Sequence, residues 1–146
     1  MSNLGRNVRI AAVDFPSGKD YDEDTFLYFL AIERARAKRT NNPLRLLFAT
    51  LEPVPGKPVP IPPESATRLI EGLRRSLRET DVMGWYREGR VAGAVLTARS
   101  EAPGSAMSGA IEKRVSLGLR QRLPREAARN LRVRVMQFGP RRIETA

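Results

Sequence analysis

The residues best placed to do chemistry lie between positions 74 and 91. Arg78 and Asp81 stand three apart, so at a helix end their side chains can share one face. An arginine offers a planar fork to phosphate oxygens or to a guanine edge, and a carboxylate accepts from N–H groups. Arg74 and Arg75, one turn earlier, extend the cationic reach. The same two letters also fit a local ion pair, or an Asp81 that simply starts a strand. After five more residues comes Arg87-Glu88-Gly89-Arg90-Val91, which reads as a short hairpin connection, with Gly89 supplying the positive φ such a turn favours. The 146 residues contain no cysteine and no histidine, which removes disulfides, thiolate metal sites and imidazole acid–base chemistry.

The elements that must position these residues follow from pattern. Acidic Asp22, Glu23 and Asp24, then Phe26, Phe29 and Leu30, then Arg34, Arg36, Lys38 and Arg39, describe a helix over 22–40 whose charges oppose its dipole. Asn41-Asn42-Pro43 stops it, and Leu44 to Leu51 is an apolar run suited to a buried strand. Six prolines between Pro53 and Pro63 predict a long, stiff, extended connection. Helix resumes at Glu64 or Ser65 with Leu69, Ile70, Leu73 and Leu77 on one face. Strands over 82–86 and 90–98 flank the hairpin turn. A third helix follows the loop at 101–104, carrying Ile111, Val115 and Leu119 and weakened by Gly109 and Gly118. A short turn over 125–130 leads to the alternating strand Leu131 to Phe138.

This order predicts an α+β fold: a ferredoxin-like βαββαβ sandwich with an extra N-terminal helix and a mostly antiparallel sheet. The helices are expected on one face, burying Phe29, Leu69, Leu73, Leu77 and Ile111. Residues 1–20 read as an N-terminal arm, with Val8 to Val13 as a candidate edge strand, 21–140 as the domain and 141–146 as a tail. The N-terminus shows neither a leader pattern nor an apolar run of about 18 residues, which points to the cytoplasm.

Positions 36–51 and 78–95, in this element order, resemble the GGDEF (diguanylate cyclase) family over about residues 22–138. Arg39-Thr40-Asn41-Asn42-Pro43-Leu44 is similar to the family's basic run before its first strand. Thr50-Leu51-Glu52 falls where the family has Asp-x-Asp, and Arg87-Glu88-Gly89-Arg90-Val91 falls on the Gly-Gly-Asp-Glu-Phe hairpin. The resemblance therefore implies a degenerate domain: no catalytic residues, no metal site and no cofactor, hence not an enzyme. Glu52 and Glu88 are the two carboxylates left nearby. The proline-rich stretch replaces the family's guanine-reading segment. The resemblance also implies that Arg78-x-x-Asp81 matches the family's inhibitory site, where cyclic di-GMP docks, with Arg74 and Arg75 available to its phosphates.

Two functions remain in competition. One is a non-enzymatic signalling domain, either sensing cyclic di-GMP or acting as a dimerising module that meets a protein partner or its own copy. The other is a basic ferredoxin-like nucleic-acid-binding protein. Net charge is +10 and 22 of the 26 basic residues are arginine, which fits an anionic partner and equally a set of solvated faces. Nucleic acid is disfavoured because the strand over 90–98 has no aromatic and Phe48 stands alone on the first strand. Trp85 and Tyr86 predict one ring in the core and one half-exposed. No membrane association is expected.

Overall fold

The computed structural model describes residues 20–96 and 104–138. Helix α1, Glu23–Thr40, starts where the Asp22 carboxylate accepts from the Thr25 N–H at 2.9 Å, with Glu23 and Asp24 in its first turn and Lys38 and Arg39 in its last. It ends at Asn41, whose φ of 59° lets its N–H turn back to the Ala37 and Lys38 carbonyls. Pro43 then directs the chain into strand β2, Leu44–Leu51. Helix α2, Pro63–Ser76, takes Pro63 as its first residue, where a missing N–H costs nothing.

Strands β3, Val82–Arg87, and β4, Val91–Leu96, form the hairpin, with Gly89 at φ 71°. Helix α3, Gly104–Arg120, carries both of its interior glycines without interruption. The short helix α4, Arg125–Asn130, delivers the chain to β5, Leu131–Phe138.

The sheet order is β1-β3-β4-β2-β5, where β1 is the two-residue strand Asp20–Tyr21. Strand β2 is antiparallel to β4 and β5, with Leu46 opposite Val95 and Phe48 opposite Arg134. Strand β4 enters between β2 and β3, which is the split βαβ arrangement read from the sequence. Asp20, assigned to an arm, pairs in parallel with Met83 at the far edge of the sheet. The candidate strand Val8 to Val13, the tail 141–146 and residues 97 and 98 lie outside the described residues.

The helices do not share one face. Leu69, Ile70, Leu73, Ile111, Val115 and Leu119 pack with Leu47, Trp85 and Val135 on one side of the sheet. Phe26, Phe29 and Leu30 pack with Leu44, Leu46, Val82 and Val95 on the other. Phe29 is buried as expected, but on the opposite side from Leu73. The near-continuous apolar run of β2 places apolar side chains on both faces, so each needs a helix. On the α1 side Gly84 faces Gly93 across the hairpin. A Cβ on Gly84 would lie 2.5 Å from the Tyr21 carbonyl oxygen, and one on Gly93 3.1 Å from the Phe26 ring. Their bareness lets β1 and α1 lie against the sheet.

The proline-rich connection is extended only in part. Val54 and Lys57 bridge around a turn at Gly56, after which the Val59 N–H donates to Leu51 and the Ile61 N–H to Gly89, at 3.0 and 2.8 Å. Ile61 is buried, so this segment straps the hairpin to the core. At the other edge, Glu112 accepts from the outward Val135 N–H at 2.7 Å, and Arg120 donates to the Leu131 carbonyl at 3.1 Å. These two α3 side chains occupy edge groups of β5 that could otherwise pair with another strand.

Candidate functional site

The end of β2, the hairpin turn and the start of β5 meet at one end of the sheet. Leu51 leaves β2 there, and Glu52 follows with its side chain only 1% exposed. Burying a carboxylate is tolerable only with charge-assisted partners. Glu52 has four. Arg134 grips it with two forked bonds, Nη1 to Oε2 at 2.8 Å and Nη2 to Oε1 at 3.1 Å. The Thr50 hydroxyl donates to Oε2 at 2.6 Å and the Gly56 N–H to Oε1 at 3.0 Å. Arg132 approaches to 3.9 Å. The Arg134 bonds, chiefly, hold the Glu52 carboxyl down at about 2, against the opposing effect of burial. The same bonds push Arg134 up, keeping its guanidinium charged.

Glu88 is engaged elsewhere. Its carboxylate accepts from the Glu23 N–H at 3.1 Å, and the Glu23 carboxylate accepts from the Glu88 N–H at 2.6 Å. This reciprocal clasp fastens the hairpin turn to the N-terminus of α1, where negative charge is favourable. The structure thus gives the two remaining carboxylates separate partners. Among the described residues no three carboxylates converge to hold a metal ion. The turn itself is closed by an Arg90 N–H to Arg87 carbonyl bond at 2.9 Å. Arg87 lies over the Tyr86 ring, 4.5 Å from its centroid, while Arg90 is exposed and Val91 opens β4.

Arg78 and Asp81 sit at the opposite end of β3 from the hairpin turn. Asp81 is buried, and its Oδ2 accepts from the Arg78 N–H at 2.9 Å while its own N–H donates back to the Arg78 carbonyl at 2.9 Å. The pair is therefore brought together as a closed backbone turn, with the Arg78 side chain exposed. Arg74 and Arg75, both exposed in the last turn of α2, diverge in their surroundings. Arg75 is 3.8 Å from Glu71. Arg74 lines a groove of about 510 Å³ with Ile61, Ile70, Trp85, Glu88 and Gly89, so α2 and the hairpin share one cleft.

Trp85 is buried and Tyr86 half-buried, as the sequence predicts. Phe48, by contrast, is not isolated: its ring meets Tyr86 edge-on at 5.0 Å across the bare Gly93. The partner that sequence reasoning misses is Arg134. Its signal is the alternation Leu131-Arg132-Val133-Arg134, which puts both arginines on one side of β5, but only the register Phe48 opposite Arg134 reveals their proximity to Glu52.

This architecture recurs among solved diguanylate cyclases. A DGC (diguanylate cyclase) protein from Thermotoga maritima is similar at a TM-score of 0.58 and 16% identity, over 84% of this chain and 83% of that one. The diguanylate cyclase SiaD from Pseudomonas aeruginosa, solved with its activator SiaC, is similar at a TM-score of 0.54 and 20% identity. That match covers 98% of this chain and 55% of SiaD, so the chain spans about half of SiaD's length. No protein-family model matches the sequence, and no curated protein does. The fold is that of a GGDEF-like domain. Among the described residues no helix is long and apolar enough to cross a membrane.

Proposed function

We propose that this GGDEF-like domain is a non-catalytic, cytoplasmic regulatory module that docks cyclic di-GMP at Arg78 and Asp81, with Arg74 and Arg75 serving the phosphates. The observation that carries the non-catalytic half is the commitment of Glu52. Phosphodiester formation by two-metal catalysis requires carboxylates open to divalent cations. Here the acid nearest the end of β2 is held by a guanidinium, a hydroxyl and an amide. Glu52 already has its charge balanced by Arg134, which supports a carboxylate that is not available to a divalent cation. The ligand half is supported by the exposed Arg78 side chain, whose backbone the buried Asp81 carboxylate holds in a closed turn.

Incubation with GTP and Mg²⁺ or Mn²⁺ tests the first half: no cyclic dinucleotide is expected. Product above a protein-free control, vanishing in Glu52→Ala or Glu88→Ala, would overturn it. Calorimetric titration with cyclic di-GMP tests the second. Binding should persist at moderate salt, exceed that of the adenine dinucleotide, and weaken by about 1–3 kcal/mol in Arg78→Ala. Absence of binding at high micromolar ligand would remove the sensor and leave a protein-interaction module.

A further inference from the structure

The two faces of the sheet are unequally covered. On one face α2 and α3 together span the strands, and α3 reaches β5. On the other face α1 packs over β3, β4 and the near side of β2. Four strands at about 4.8 Å spacing need roughly twice the width of one helix, which is about 10 Å across. Among the described residues, the half left uncovered is the outer side of β5 with the adjoining part of β2. Its floor is Phe48, Met136 and Phe138, the last two 40% and 39% exposed.

Beside it runs a groove of about 720 Å³ between Arg34, Ala35 and Lys38 on α1 and Leu44 and Phe138 on the strands. Ala35 is small enough for a second helix to approach α1 closely. The rim is cationic, with Arg34 and Lys38 at one end and, at the other, Arg132 and Arg134 sharing the single buried charge of Glu52. Among the described residues no acid lines the groove, and Glu52, nearest to Arg134, is buried.

We infer that this half-face is a docking site for an amphipathic helix of a partner protein, apolar on one side and acidic along its flanks. The width matches one helix, the floor matches its apolar stripe, and the rim matches its charge. Single-stranded nucleic acid suits the charge but not the floor. Base stacking needs open ring faces on the central strands. Here the β4 position beside Phe48 is Gly93, covered by Phe26, and the Phe48 ring is half-buried against Tyr86. The inference goes beyond the ligand role proposed above and is independent of the Arg78–Asp81 ligand. Loss of cyclic di-GMP binding would leave it intact.

The test uses the full chain, with amide NMR shifts and anisotropy as readouts. The probe is a designed peptide of about 18 residues with leucines on one helical face and glutamates elsewhere, beside a scrambled isomer and a lysine-for-glutamate version. Binding of the acidic helix alone is expected, with shifts at Leu44, Phe48, Met136 and Phe138. Phe138→Glu should weaken it about tenfold or more. The exposed pair Arg34→Glu with Lys38→Glu, which leaves the core untouched, should transfer preference to the lysine peptide. The inference fails if no peptide shifts these residues at about 1 mM. It fails equally if the variants leave affinity unchanged, if an oligouridylate competes tighter for the same residues, or if they shift with protein concentration alone, as in a self-associating chain.

Discussion

Replacing Arg134 with alanine would strand a carboxylate that has almost no contact with water. Removing one partner of a buried pair typically costs about 3–5 kcal/mol, because the other charge is left uncompensated. The Arg134 side chain is 40% exposed, so solvent already screens part of the attraction, and the expected loss is about 2–4 kcal/mol. The depression of the Glu52 carboxyl from 4.5 to about 2 leads to a similar size, about 3 kcal/mol. Its sign is fixed. The folded protein favours the ionised form, so this stability is complete above about pH 4.5 and disappears as pH falls toward about 2. Urea unfolding at neutral pH should show the Arg134→Ala loss. A series from about pH 5 to pH 2 should show the wild type losing stability while Glu52→Gln loses markedly less over the same window. Arg134→Lys, which keeps charge but not the fork, should fall between. An Arg134→Ala loss below about 0.5 kcal/mol, or a Glu52→Gln acid limb as steep as the wild type's, would refute the argument.

Other perturbations probe the rest of the framework. Leu73 is completely buried, and Leu73→Ala should cost about 2–5 kcal/mol in equilibrium unfolding; a loss below about 0.5 would contradict its core position. Gly84→Ala should cost about 1–3 kcal/mol, since its methyl must displace the Tyr21 backbone, and tyrosine amide exchange should accelerate as β1 is released. An unchanged midpoint would show that β1 contributes nothing. Glu112→Ala should cost about 1–3 kcal/mol by leaving the Val135 N–H without its carboxylate, and sedimentation should show more self-association; no change in either would mean that the edge needs no cover.

Several elements were legible in the residues because their causes are local. The acids and bases of α1, the Asn41-Asn42-Pro43 stop, the apolar run of β2, Gly89 and the alternation of β5 each act within a few positions. Other features depend on contacts that pattern does not encode. Phe26, Leu27, Phe29, Leu30 and Ile32 place apolar groups around most of α1, with Tyr28 exposed, so periodicity could not decide which sheet face it covers. Strand β1 is two residues long, too short for any alternation to show. The site was half legible. The turn joining Arg78 to Asp81 involves near neighbours in sequence, whereas the Glu52–Arg134 pair joins residues 82 positions apart and exists only through the β2–β5 register.

The strap over the hairpin has an entropic consequence. Its prolines fix φ in the unfolded chain as well as in the folded one, so the connection between β2 and α2 starts with fewer conformations to lose. The restriction makes the Ile61 N–H to Gly89 bond cheap to form and slow to outcompete. A hairpin tied at its turn by such a segment, and at its other side by the Glu23–Glu88 clasp, has little freedom to open around a large substrate. Amide exchange at Gly56, Val59 and Ile61 should then follow global unfolding, making a stretch that reads as a loop one of the most rigid parts of the molecule.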